Sequence, residues 1–180
     1  MTKRSAGIAP PRFPIILLTA LLSGLCPLRA GAAPAKVMQR AAGHYFMPGP
    51  AESRIVTVSI TGKAENEIVV MTEAIAVKEA GPRQTLAKFG EVYAFAPSFV
   101  AVRENRPVRL TFWNLQPDDD HDFMLAGPDS KVLMYVDLKP LSRNSWVFTF
   151  HRPGLYGFYC AIHQPEMSGQ ILVLPAGGKP

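Results

Sequence analysis

The chain has 180 residues, enough for one domain with a core of its own behind a processed leader. Its 19 basic and 14 acidic residues give a net charge of +5, but Lys3, Arg4, Arg12 and Arg29 all fall in the first 32 residues, where there is no acid. Removing those four from the 19 leaves 15 basic against 14 acidic, a net charge of +1, and with it goes the electrostatic case for a nucleic-acid or membrane-surface partner.

In chain order, Lys3, Arg4 and Arg12 precede an apolar run over 14–26, and Ala30-Gly31-Ala32 follows as a small-x-small cleavage pattern. These three regions predict a secretory signal peptide over 1–32 and a mature chain starting at Ala33. An uncleaved anchor competes, but the run is shorter than the roughly 20 apolar residues that span a bilayer, and Arg29 closes it. Leu25 before Cys26 is too large for a lipoprotein site, and there are no paired arginines, so Sec-type export to the periplasm is expected, with no stable membrane insertion after cleavage.

Residues 33–53 are rich in Ala and Pro and predict a loose N-terminal segment. A domain over 54–180 follows, with its core in 91–175. Residues 54–60 alternate and predict a strand, 62–66 a turn, and 68–77 a second strand. Residues 80–88, around Gly81-Pro82, predict a polar linker. Short strands then recur between turn signals at 92–95, 99–102, 108–114, 123–126, 132–136, 145–150, 155–159 and 170–174. This pattern predicts an all-β, Greek-key β-sandwich. Its core is expected from Val108, Leu110, Phe112, Phe123, Leu125, Phe148, Phe150, Tyr156, Phe158, Ile171 and Val173, which alternate within their strands.

Cysteine usage narrows the chemistry. Cys26 leaves with the leader, so Cys160 has no intramolecular partner, and a lone exported thiol is either a liability or a ligand. It stands three residues before His163 and seven before Met167, and His121 lies upstream in Asp118-Asp119-Asp120-His121-Asp122-Phe123. Two imidazoles, a thiolate and a weak axial thioether form the ligand set of a blue-copper electron-transfer site. Thiolate and thioether suit Cu(I), and imidazole suits both oxidation states, so a mixed set holds either without large rearrangement. A buried Cys or a buried Met alone reads as core; His121, Cys160, His163 and Met167 together read as a copper site. The separation of 39 positions from His121 to Cys160 is compatible with this, because loops from distant strands cluster at one end of a Greek-key sandwich.

The flanking residues resemble a known family. Phe148-Thr149-Phe150-His151-Arg152-Pro153-Gly154-Leu155-Tyr156-Gly157-Phe158-Tyr159-Cys160 is similar to the Pro-Gly turn and aromatic strand that lead into the copper cysteine of cupredoxins. Met167-Ser168-Gly169-Gln170-Ile171-Leu172-Val173 resembles their last strand, and Phe112-Trp113-Asn114 with His121-Asp122-Phe123 resembles their ligand-bearing strand pair. The match covers 91–175. It departs from plastocyanin-like proteins at Asp122, where they carry Asn, and in a gap between His163 and Met167 that is one residue shorter. The flanks are closer to the copper domains of cytochrome oxidase subunit two and nitrous oxide reductase, but those carry two loop cysteines and this loop has only Cys160, which argues against a dinuclear centre.

The resemblance implies a carrier of single electrons between redox proteins, such as a cytochrome or an oxidoreductase, and not an enzyme. It implies one Cu(I)/Cu(II) ion, with His163 exposed among Ala161, Ile162, Pro165 and Pro128 and with His121 buried. Two other functions remain open: a periplasmic copper carrier or resistance protein, and a red-copper variant in which Met167 is unbound and a small ligand reacts. No Ser-His-Asp set, phosphate loop or paired carboxylates point to another catalytic chemistry.

The other candidates have plainer readings. His151 is expected at the surface, at the far end of its strand from Cys160. His44, near Met47, is a loose-segment histidine or an accessory copper ligand. Met124 and Met134 are expected to pack, and Trp113, Tyr156 and Tyr159 to be core aromatics, with Tyr159 a further candidate for an electron route. Asp118, Asp119 and Asp120 form a docking patch, a solvated loop, or a local brace for His121.

Overall fold

The structure, a computed structural model, describes residues 46–177. The signal peptide over 1–32, most of the 33–53 segment and His44 lie outside the described residues.

Among the described residues, ten strands make two five-stranded sheets. In chain order they are β1 (Val56–Ser59), β2 (Asn66–Ala76), β3 (Val92–Ala96), β4 (Phe99–Arg103), β5 (Val108–Asn114), β6 (His121–Ala126), β7 (Val132–Leu138), β8 (Ser142–Phe150), β9 (Gly154–Tyr159) and β10 (Ser168–Leu174). One sheet has the order β1-β8-β5-β2-β3 and the other β4-β10-β9-β6-β7. This is the Greek-key sandwich that the recurrent short apolar runs predict. All eleven of the alternating core residues named from the sequence are buried between the sheets. Each large apolar side chain buried this way contributes about 1.5–3 kcal/mol relative to exposure. Phe123 lies at their centre, with ring centroids 4.2 Å from Phe112 and 5.8 Å from Phe158.

Four expectations are corrected. The 80–88 linker contains helix α1 (Arg83–Phe89), which Pro82 precedes and Gly90 ends at φ 80°; Pro fixes a compatible φ at a helix start and Gly accepts the left-handed stop. The described end of the 33–53 segment is tied down. Phe46 exchanges two 2.9 Å backbone hydrogen bonds with Tyr135, Glu52–Arg54 forms a 3-10 turn, and Lys131 pairs with Glu52 at 2.6 Å. Trp113 is not a core aromatic: Leu110, Phe112 and Asn114 face inward on β5, so Trp113 projects outward under the Arg143 guanidinium at 5.6 Å. Pro128 cannot ring His163, because it follows β6 at the end opposite His121 and packs near Gly154 at the start of β9.

Pairing places both ends of the site together. β6 and β9 are antiparallel with Met124 opposite Tyr159, so continuing the register by one residue sets Cys160 across from Phe123. The start of β6 and the end of β9 therefore share one end of the sandwich, where β5 also ends at Asn114.

Candidate metal centre

His121 opens β6 and is fully buried; Cys160 follows β9 and is fully buried; His163 is partly exposed in the loop before β10. The chain turns back between Cys160 and Ser168 because the backbone bonds to itself. The Cys160 N–H donates to the Met167 carbonyl at 2.9 Å, the Met167 N–H to the His163 carbonyl at 3.0 Å, and the Gln164 side-chain amide to the Cys160 carbonyl at 2.8 Å. The loop must return close to the sheet, and at Gly169 only glycine permits it: a Cβ there would lie 2.3 Å from the Phe158 ring and 2.5 Å from the Ser98 carbonyl oxygen.

Three donor atoms converge. The Nδ1 atoms of His121 and His163 are 3.2 Å apart, and the Cys160 Sγ is 3.9 Å from the first and 3.6 Å from the second. A point in the plane of that triangle equidistant from its corners lies about 2.1 Å from each, close to the roughly 2.0–2.3 Å of bonds from imidazole nitrogen and thiolate sulfur to a first-row transition metal. A trigonal set of two imidazoles and one thiolate is the arrangement that copper takes in electron-transfer sites. The two-sheet sandwich brings these donors together at one end, and the site fits one copper ion.

No protein-family model matches the sequence, and no curated protein matches it. Among solved structures, the chain is similar to auracyanin B, at 18% identity and TM-score 0.48, over 68% of this chain and 99% of that one. It is similar to the dithionite-reduced auracyanin of Roseiflexus castenholzii, at 16% identity and TM-score 0.45, over 63% and 100%. It is also similar to a multicopper oxidase from Campylobacter jejuni, at 10% identity and TM-score 0.47, over 64% and 31%.

The surroundings set the chemistry of the donors. Burial, then the charge of His163, lowers the His121 imidazole to about 4, and burial also lowers His163. Both shifts favour the neutral rings that ligands must be. Burial first, and then the charge of Asp122, pushes the Cys160 thiol up to about 11. Without a cation the thiol keeps its proton at neutral pH; a bound ion displaces that proton and supplies the compensating charge.

Asp122 stands where plastocyanin-like proteins carry Asn, and it bridges the two ligand-bearing segments. Its backbone N–H points to the Cys160 Sγ at 3.4 Å, and its Oδ1 accepts the Ala161 N–H at 2.7 Å. Met167 is fully buried in the same core cluster as Cys160.

Sequence reasoning missed two residues beside the donors. The ring of Tyr93, on β3, packs against both imidazoles, with centroids 4.8 Å from His121 and 4.6 Å from His163, and its hydroxyl donates to Asp119. Burial, then that carboxylate, raises the phenol strongly. Asn114 is buried, and its side-chain amide donates to the Asp119 and Leu138 carbonyls at 2.8 and 2.9 Å. Its Oδ1 accepts the Thr72 hydroxyl at 3.1 Å and the Gln116 N–H at 3.0 Å. Both residues brace the 115–120 approach to His121. Two residues of the acidic run belong to that brace, Asp119 held by Tyr93 and Asn114, and Asp120 paired with Lys139 at 3.4 Å.

The remaining candidates fall elsewhere. His151, partly exposed, bonds Thr57 and Asn105 away from the site. Met124 and Met134 are buried strand residues; Tyr156 is core, and Tyr159 is half-buried beside Cys160.

Proposed function

We propose that this protein is an exported electron carrier in which one copper ion is held by His121, Cys160 and His163, with Met167 as the weak axial ligand. The observation that carries this reading is the His121–Cys160–His163 triangle, whose three donor atoms suit a single ion at bonding distance. Copper supplies a one-electron couple there; the chain supplies rigidity and access. His121 and Cys160 sit on strand ends inside the sandwich, so little of the frame moves when the charge of the site changes, which keeps transfer fast. His163 alone is partly exposed, so its imidazole edge is the exit to a redox partner such as a cytochrome or an oxidoreductase. Ile162 and Pro165 are exposed beside it, and a small apolar rim favours a brief, fast-dissociating encounter. Four protein ligands close the site, which favours electron transfer over catalysis at an open position. The signal-like leader accounts for export to the periplasm, with no nucleic-acid partner and no membrane insertion after cleavage.

Copper reconstitution tests the reading. The oxidised protein is expected to show an intense thiolate-to-copper absorption band that Cys160→Ser abolishes. Met167→Gln is expected to keep copper and lower the reduction potential, because a harder oxygen donor favours Cu(II). A colourless protein that yields copper readily to a chelator would instead mark a copper carrier. A red form reactive toward small ligands, with Met167→Gln silent, would mark an open site.

A further inference from the structure

The outer face of the β1-β8-β5-β2-β3 sheet carries an apolar groove at the end where the donors sit. Trp113 projects from β5, Leu115 follows that strand, and Leu141 comes from the turn between β7 and β8. With Asn114, Ser142 and Arg143 they line a space of about 280 Å³. Trp113 lies opposite Arg143 in the β5–β8 pairing, and the guanidinium stands 5.6 Å from the indole centre.

The backbone at Leu141 marks this groove. Its φ is 47°, in the left-handed region that Gly adopts freely and that strains a side chain with a Cβ. Glycine would form the same turn, in which the Leu141 N–H donates to the Gln116 carbonyl at 3.0 Å. The Leu141 side chain is 72% exposed, so it returns little burial for that strain. Strain without a folding return is a feature of functional positions.

The groove also connects to a donor through bonds. Asn114, next to Trp113 in the chain, donates to the Leu138 carbonyl at 2.9 Å, and Leu138 lies opposite His121 in the β6–β7 pairing. A route from the buried imidazole thus reaches an outward-facing indole without passing through His163.

We propose that this groove is a second docking surface, where a cytochrome seats an apolar haem edge flanked by carboxylates. This rests on the copper reading above and adds a second port to it. The apolar lining suits the haem edge. Arg143 offers the carboxylates a cation whose side chain is 63% exposed and whose Glu67 contact, at 3.7 Å, is an open surface pair of little strength. Three exposed apolar side chains fall well short of the roughly 800 Å² per partner that a stable dimer buries, so the groove fits a brief encounter rather than a second copy of the chain. One electron passes from the Fe(II) haem to the oxidised copper site, leaving Fe(III) and Cu(I), and no bond forms or breaks.

The probe is ferrocytochrome c with succinylated lysines, which rings its haem edge with carboxylates, mixed in stopped flow with the copper-loaded mature chain. All samples carry Ile162→Glu, which weakens exchange beside His163. Leu141→Gly and Arg143→Gln are each expected to slow electron exchange by about fivefold with the thiolate band unchanged. Leu155→Ala, at the end of β9 opposite Cys160, should leave the rate alone. Leu141→Gly should also keep the denaturant midpoint of the apo-protein, because the turn loses its strain. An unchanged rate in either groove variant overturns the inference, as does equal slowing by Leu155→Ala. A lowered midpoint in Leu141→Gly overturns it too, since Leu141 would then serve packing. A dimer in sedimentation that Leu141→Gly dissociates overturns it in favour of a second copy. Failure of the copper reading is distinct: the wild-type protein itself would show no thiolate band.

Discussion

The Nδ1 atoms of His121 and His163 face each other across 3.2 Å, although 42 positions separate them in the chain. Without a metal, two imidazoles this close share at most one proton between the facing nitrogens, and a charge on either ring disfavours a charge on the other. Tyr93 packs against both rings, and burial disfavours such a charge.

The stability of the apo-protein is therefore expected to fall in mild acid. His121 titrates at about 4 in the folded chain, against about 6.5 when unfolded. Between these values the unfolded chain binds a proton that the folded chain does not, so stability is complete above about 6.5 and declines as pH falls to about 4, by roughly 3 kcal/mol in all. His163 acts in the same direction. Denaturant midpoints of the apo-protein at pH 7.5, 5.5 and 4 measure this, and His121→Asn should flatten the slope. An equal slope in that variant would place the acid sensitivity elsewhere.

Asn114 ties the end of β5 to the loop that delivers His121. Asn114→Ala leaves the Asp119 and Leu138 carbonyls and the Thr72 hydroxyl without this partner in a buried setting. The expected cost is about 2–4 kcal/mol in denaturant unfolding of the apo-protein. The copper band should also broaden as His121 loses its brace. Wild-type stability in the variant would show that the four bonds are replaced by water at no cost.

Docking can be separated from the copper site by a matched pair of charges. Ile162 is 40% exposed beside His163, and Leu155 is 46% exposed at the opposite end of β9 from Cys160. Ile162→Lys is expected to slow electron exchange with a physiological partner at least several-fold while leaving the copper spectrum unchanged; Leu155→Lys should do neither. Equal exchange rates for Ile162→Lys and wild type would move docking to another surface.

The sequence by itself determined the sandwich and named the candidate donors. Strand alternation names the inward residues directly, because side chains on a strand change face at every step. Cys160, His163 and Met167 lie within one loop, so their spacing alone brings them near one another. What lies between strands was decided only by tertiary structure. Tyr93 and Asn114 reach the site from β3 and β5 through sheet order, and no local pattern encodes which strands neighbour which. Trp113 faces out because the register of β5 gives the core to Phe112 and Asn114, although composition alone favours burying the larger ring. Helix α1 forms across a segment that Gly81 and Pro82 make read as a linker, since both residues prove to stand just before its start. Pro128 lies far from His163 because a strand has two ends, and only the pairing of β6 with β9 decides which end carries the metal site.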